Sequence, residues 1–189
     1  MVGLLDLGRM FPGVATIAFP VPEAILKVRS SDIMEGIMNE QANIELLKQA
    51  YDAYDKGDIP RLLGLCTQDI DWELPEVEGI PFTGKRHGQA QAADFFRVLD
   101  ECQETREFRP DRFFAQGDQV VVLGHATFTV RATGAEYSDE WCHVFSIAGG
   151  KIASFKEYCD TNKAAQAFQP RGAGTGAAAG KGAPSPAVH

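Results

Sequence analysis

Apolar residues recur at helical spacing at the start of the central part of the chain. They fall at steps of three, four and three residues, which predicts an amphipathic helix over 43–56: Ile44, Leu47, Tyr51 and Tyr54. Asp58 has the position of an N-cap, and Pro60 fits the first turn of a second helix, where its missing N–H is not needed. We therefore expect two helices before the first strand.

The next segments predict a strand, a loop and a helix. Apolar and acidic residues alternate over 69–74, which is the period of a half-buried strand. Residues 75–88 are rich in Pro and Gly, and we expect them to form a loop. Apolar residues share one face over 89–99, which predicts a third helix.

The rest of the central region has the character of β-structure. Short turns containing glycine separate four predicted strands, at 104–115, 119–130, 136–147 and 151–159. This spacing is typical of an antiparallel meander. Helices gathered on one side of an antiparallel sheet make an α+β fold.

The two ends of the chain show neither pattern. The apolar residues of 1–41 follow no sustained period, so we assign this extension no fold. Asp6 and Arg9 argue against a signal peptide, and no apolar run is long enough to span a bilayer. Residues 171–189 are almost all Gly, Ala, Pro and Ser, which predicts a flexible tail. We expect the folded domain at 42–170.

Charge and cysteine content narrow the possible partners. The formal net charge is −8, and no basic cluster offsets it, so binding to a phosphate backbone is not expected. The four cysteines are scattered without a CxxC pair, which favours reduced thiols in the cytoplasm. Cys142 and His143 are adjacent on a strand and point to opposite faces, so we predict no metal site there.

His143 and Glu157 are the candidate catalytic residues. They lie on two predicted strands joined by a turn at Gly149 and Gly150, with aromatic residues on the same faces. A histidine beside a carboxylate in apolar surroundings suits acid–base chemistry, because burial and mutual contact adjust both pKa values. The alternatives are a structural core histidine, and for Glu157 an ion pair with a base such as Lys156.

Five further residues are candidates for the wall of a pocket. Each has a structural alternative: the aromatic residues fill core volume or pack between helices, and the histidine faces solvent. These candidates are Trp72, Trp141, Tyr54, Phe155 and His125. Tyr51 offers a second phenolic donor on the first helix, with packing again as its alternative.

The order and spacing of four motifs resemble the SnoaL-like polyketide cyclase branch of the nuclear transport factor 2-like superfamily, which also includes ketosteroid isomerase. The motifs, within about 43–168, are YDAYDKGD, QDIDWEL, GIPFTGKRHGQAQAADFFRVL and EWCHVFSIAGGKIASFKEYCD. The resemblance implies a cone formed by a strongly curved antiparallel sheet, with three N-terminal helices closing its wide end around a hollow interior. It also implies that the sheets of two copies pair as a homodimer.

In the cyclases that this chain resembles, the last two strands contribute an inward acid and a histidine, which match Glu157 and His143 here. The chain has Glu where the characterised cyclases have Asp, which leaves the reaction itself open. Because relatives of this fold include isomerases, cyclases, dehydratases and hydrolases, the resemblance indicates an acid–base enzyme without a cofactor, acting on a small apolar carbonyl compound. The alternative is a non-catalytic module for ligand binding or dimerisation.

Overall fold

The computed structural model describes residues 30–170 of the 189-residue chain. The chain divides into two compact units, Met1–Ile37 and Met38–His189. The described part of the first unit is the opening of helix α1, and the fold reported below is that of the second unit. Residues 1–29 and the predicted tail 171–189 lie outside the described residues, and the predicted domain limits of 42–170 stay a prediction.

Within the described residues, four helices and six strands follow one another along the chain. In order they are α1 (Ser30–Asp55), α2 (Ile59–Gly64), β1 (Cys66–Leu74), β2 (Gly84–His87), α3 (Gly88–Cys102), β3 (Gln103–Gln116), β4 (Gln119–Val130), β5 (Glu136–Ala148), β6 (Lys151–Cys159) and α4 (Thr161–Phe168). The α+β class is confirmed, and none of the described helices is long and apolar enough to cross a membrane.

The six strands form one curved, unclosed sheet in the order β2-β1-β6-β5-β4-β3. Strands β3 to β6 make the predicted antiparallel meander. The prediction of a purely antiparallel sheet is wrong at one place, because β1 pairs with β6 in parallel. Since α3 and four strands separate β1 from β6 along the chain, no local turn imposes an antiparallel direction on this pair.

Three local predictions need correction. Helix α1 begins at Ser30, inside the segment to which we assigned no fold, because apolar residues exposed to solvent at its start give no amphipathic signal: Ile33, Met34, Ile37 and Met38. The predicted loop 75–88 contains the short edge strand β2, which pairs with β1. A fourth helix, α4, follows β6, and the side chain of Asp160 caps it by accepting from the Asn162 N–H at 3.1 Å.

The curvature of the sheet is associated with irregular pairing of β3. The register between β3 and β4 shifts twice, between Thr105 and Glu107 and between Pro110 and Arg112. Such shifts bend a strand and increase its twist. Pro110 is tolerated in β3 because this strand lies at the edge of the sheet.

The inner face of the sheet carries the core, and alternate residues of β4 and β5 belong to it. Val120, Val122 and Ala126 of β4 are buried, while their neighbours along the strand are partly exposed. Gly124 continues this inner row because the Trp141 ring of β5 occupies the space where a side chain would start. A Cβ on residue 124 would clash with that ring and with the Arg109 carbonyl oxygen.

Candidate functional site

A cavity of about 120 Å³ lies between the inner face of the sheet and the helices. Its volume is sufficient for several water molecules. Apolar and aromatic side chains from β1, α3, β5 and β6 make up most of its wall, including Trp72, Phe95, Trp141, Phe145 and Phe155. A cavity of this kind, with a few polar groups in an apolar wall, is typical of a small-molecule site.

The hairpin of β5 and β6 brings His143 and Glu157 together. The turn at Gly149 and Gly150 has φ angles of 57° and 72°, which glycine adopts without strain. Beyond the turn the register shifts between Ser146 and Ile147, and His143 then pairs directly with Glu157. The predicted proximity of these two side chains on one face is confirmed.

Four side chains form one hydrogen-bonded chain on the cavity wall. His143 Nε2 lies 3.1 Å from Glu157 Oε2, and the phenolic oxygen of Tyr51 lies 2.8 Å from His143 Nδ1. The Cys159 thiol donates to the other carboxylate oxygen, Glu157 Oε1, at 3.2 Å. Because an ionised carboxylate accepts only, His143 Nε2 carries the proton, and Nδ1 then accepts from the Tyr51 O–H.

The environment of this chain of groups determines how Glu157 ionises. Burial opposes its ionisation, but the hydrogen bonds from His143 and from the Cys159 thiol hold the pKa of Glu157 below its ordinary value. Burial, with the nearby Glu157 carboxylate, raises the pKa of Tyr51 well above its ordinary value. Glu157 is therefore an anion at neutral pH and Tyr51 a neutral donor.

Aromatic rings fix the orientation of the His143 imidazole. The Trp141 ring stacks on it with centroids 3.9 Å apart and planes 18° apart, and Phe155 meets it edge-on at 4.8 Å. His143 is only 4% exposed, and the contacts with Trp141 and Phe155 hold its ring in one orientation. The imidazole reaches Glu157 and Tyr51 without a change of rotamer.

The structure separates Glu157 from the base that was its alternative partner. Lys156 lies on the other face of β6 and bonds to Glu73 of β1 at 3.0 Å. Among the described residues, His143 is the one cationic-type side chain within 4.0 Å of the Glu157 carboxylate. The carboxylate is thus supported by hydrogen bonds from a histidine and a thiol.

A second carboxylate, Asp139, belongs to the same cavity wall. Asp139 is 8% exposed and accepts from the Asp160 backbone N–H at 3.3 Å. Burial raises the pKa of Asp139, while that backbone hydrogen bond lowers it. The pKa values of the two cavity carboxylates are thus shifted in opposite directions, that of Asp139 upward and that of Glu157 downward. Opposed shifts of this kind are common in catalytic sites.

Four of the five predicted wall residues line the cavity: Tyr54, Trp72, Trp141 and Phe155. Both indole N–H groups are buried and have no hydrogen-bond partner within residues 30–170. The Tyr54 O–H lies 3.3 Å from Thr105 Oγ1. Whether these residues contact a ligand stays a prediction.

His125 does not belong to the cavity, and its predicted place in the wall is corrected. It follows Val121 and Leu123 along β4 on the outer face of the sheet, where its side chain is 41% exposed. His125 Nδ1 bonds to Asp111 at 2.9 Å, and this hydrogen bond raises its pKa. His125 therefore faces solvent, which was the alternative to a place in the cavity wall.

Tyr51 and Asp139 are the site residues for which the sequence predicted no specific role. Tyr51 lies on the buried face of α1 beside Leu47 and Tyr54, and 92 positions separate it from His143 along the chain. Asp139 has a clearer signal, because it lies on the same strand face as Trp141 and His143. Within residues 30–170 no group of three or more His, Cys, Asp or Glu side chains is arranged to hold a metal ion.

Comparison with known families agrees with this architecture. Residues 47–155 match the model of the SnoaL-like domain. No curated protein matches the chain significantly.

Solved structures of similar fold cover most of the chain. A nuclear transport factor 2-like protein from Burkholderia xenovorans LB400 is 32% identical, with a TM-score of 0.64 over 69% of this chain and 98% of its own. One from Burkholderia thailandensis E264 is 28% identical, with a TM-score of 0.62 over 68% and 98%. TerC, co-crystallised with polyporic acid, is 26% identical, with a TM-score of 0.62 over 67% and 98%.

The substitution Tyr51→Phe tests the hydrogen-bonded chain. Removing the phenolic O–H leaves the buried His143 Nδ1 without its donor, so we expect a loss of about 1–3 kcal/mol in the free energy of unfolding. In ¹⁵N NMR spectra the Nδ1 resonance of His143 should move towards that of a nitrogen without a hydrogen bond.

Tyr54→Phe is the matched control, because it removes a phenolic O–H from the same helix without touching His143. It should leave the Nδ1 resonance unchanged. An identical His143 spectrum in the Tyr51→Phe variant and the wild type would contradict the assignment.

Proposed function

The chain belongs to the SnoaL-like domain family, and from this membership and the cavity we propose that it is a cofactor-independent acid–base enzyme for a small, largely apolar carbonyl compound. One observation carries the proposal: Glu157, in an apolar cavity, is hydrogen-bonded to His143 at 3.1 Å. Because its pKa is held below the ordinary value, Glu157 is ionised at neutral pH, and the apolar wall keeps bulk water away from it, so the carboxylate can accept a proton directly from a carbon acid bound beside it.

The reaction begins when Glu157 removes a proton from the carbon next to the carbonyl group. The C–H electron pair moves into the carbonyl to form an enolate, and the proton stays on the Glu157 carboxyl. Returning that proton to another carbon completes an isomerisation, and replacing it on the carboxyl by a solvent hydron that then returns to the same carbon completes an exchange. Attack of the enolate carbon on a second carbonyl of the same molecule forms a carbon–carbon bond, and the alkoxide oxygen that results takes the proton from the Glu157 carboxyl, which completes a ring closure.

His143 and Tyr51 support this cycle without leaving their positions. The His143 N–H stabilises the Glu157 anion before proton abstraction, and the Tyr51 O–H keeps the imidazole in the tautomer that donates. The stacked Trp141 ring holds the imidazole plane. His143 and Tyr51 thus act on the Glu157 carboxylate, and Glu157 is the group that contacts the substrate.

The substrate class follows from the cavity wall and from one relative. TerC, a relative of similar fold, was co-crystallised with polyporic acid. Flat aromatic rings joined to a polar, oxygen-bearing centre suit a wall in which Trp72, Phe95 and Phe155 surround a few polar groups. We extend the proposal to aromatic or alicyclic ketones and quinones.

Two further properties belong to the proposal. The outer face of the sheet joins two copies as a homodimer, which is supported by the 52% exposure of both Phe114 and Tyr158. The protein works in the cytoplasm, in line with its four free cysteines. Light scattering at micromolar concentration should give the mass of a dimer, and the mass of a monomer would contradict it.

The proposed chemistry is tested by hydrogen exchange on 2-tetralone, a small ketone with acidic protons beside its carbonyl. In D₂O the wild type should accelerate exchange of these protons above the buffer rate, as followed by ¹H NMR. Glu157→Gln should reduce the acceleration at least 100-fold, because the amide cannot accept the proton at neutral pH. Glu140→Gln is the matched control on the solvent-facing side of β5 and should keep the wild-type rate.

Two outcomes would decide against an enzyme of this kind. If the wild type binds 2-tetralone without accelerating exchange, the pocket is a binding module. If Glu157→Gln keeps the full acceleration, the base lies elsewhere.

A further inference from the structure

Gln103 is a buried polar residue at the start of β3, and the catalytic scheme above does not use it. Its side chain lines the cavity, and the residue is 3% exposed. Burying an amide is unfavourable unless each of its polar atoms has a partner. The hydrogen-bond partners of Gln103 therefore show which of its polar atoms is left for a ligand.

One half of the Gln103 amide has a protein partner. The Tyr137 O–H donates to Gln103 Oε1 at 2.7 Å. Burial raises the pKa of Tyr137, so this phenol stays protonated and keeps its role as donor. A fixed oxygen also fixes the amide nitrogen on the opposite side of the same group.

The other half of the amide has no protein partner. Within the part of the chain that the structure describes, no group accepts a hydrogen bond from Gln103 Nε2, which carries two N–H donors. The nitrogen is not among the unpartnered polar atoms that are sealed from solvent. It is therefore open to a molecule in the cavity.

We propose that the Gln103 amide nitrogen, oriented by Tyr137, binds the carbonyl oxygen of the ligand and holds the enolate oxygen when Glu157 takes the neighbouring proton. The second of these roles, holding the enolate oxygen, rests on the proposed function. Binding of the neutral ketone requires only the cavity and the amide.

The positions of the Glu157 carboxylate and the Gln103 amide agree with their roles as base and as hydrogen-bond donor. Tyr137 lies on the same inner row of β5 as His143, and the Glu157 carboxylate is near enough to contribute to the raised pKa of Tyr137. A base and an N–H donor thus face one cavity from different strands. Two N–H donors select a ligand by an acceptor oxygen, whereas a hydrocarbon of the same shape leaves them without a partner.

Two probes of the same skeleton isolate this contact: 2-tetralone and the hydrocarbon tetralin, which lacks the oxygen. Binding is followed through the fluorescence of Trp72 and Trp141, the two tryptophans of the chain, both in the cavity wall. Gln103→Met keeps the length of the side chain and removes both donors. We expect it to weaken the binding of 2-tetralone about tenfold and to leave the binding of tetralin within twofold of the wild type.

Gln119→Met is the matched control, because Gln119 is exposed at the start of β4. It should bind both probes as the wild type does. If circular dichroism shows that Gln103→Met does not fold, Tyr137→Phe is the decisive variant. This substitution removes the donor to Gln103 Oε1, so the amide can rotate, and it should weaken the binding of 2-tetralone but not that of tetralin. Equal affinity of 2-tetralone for the wild type and the decisive variant would overturn the proposal.

Glu157→Gln separates this inference from the proposed chemistry. If the variant loses hydrogen exchange but keeps the preference for 2-tetralone over tetralin, both stand. If the wild type shows the preference but no exchange, the Gln103 site stands as a binding site and the proposed enzyme fails. If exchange depends on Glu157 while Gln103→Met changes neither binding nor exchange, the Gln103 site alone fails.

Discussion

The pairing of β5 with β6 is the constraint on which the site depends. Ala148 pairs with Lys151 across the turn, and Ile147 with Ile152, which continues a regular register. The next pair, Ser146 with Ser154, skips one residue of β6. Because of this shift His143 lies opposite Glu157, whereas the unshifted register would place Lys156 there. One irregularity in the hairpin thus decides whether the imidazole meets an acid or a base.

The other contacts of the site depend on that pairing. With Glu157 on the inner face, Lys156 points outward and bonds to Glu73, so the Lys156 ammonium group does not lie beside the Glu157 carboxylate. His143 then has one nitrogen for Glu157 and one for Tyr51. Helix α1 is thereby joined to the last two strands through a buried polar contact, and such a contact is most stable when every member has its partner.

Much of this arrangement could be predicted from residue patterns. The β-character of these segments and the glycine turns between them predicted the bounds of β4 and β6, and the shared face of Trp141 and His143 indicated that both lie in the interior. The two-glycine turn indicated the hairpin, and therefore that His143 and Glu157 lie near each other. Short-range periodicity carries this information because each strand exposes one face and buries the other.

The remainder depends on contacts that no local pattern records. The parallel pairing of β1 with β6 and the bond from Tyr51 to His143 join parts of the chain far apart in sequence. Strand β2 is four residues long and lies at the sheet edge, so its alternation is too short to recognise. The exact partner of His143 depends on a bulge whose position is set by the packing of the folded sheet.

The ionisation of Glu157 is the property that links this structure to acid–base chemistry. It is measured directly by following the side-chain carboxyl carbon in ¹³C NMR during a pH titration, with Glu157→Gln used to assign the resonance. The hydrogen bonds from His143 and Cys159 predict that Glu157 is ionised at neutral pH and titrates below the ordinary range of a glutamate. A carboxyl that is still protonated at neutral pH would contradict the account.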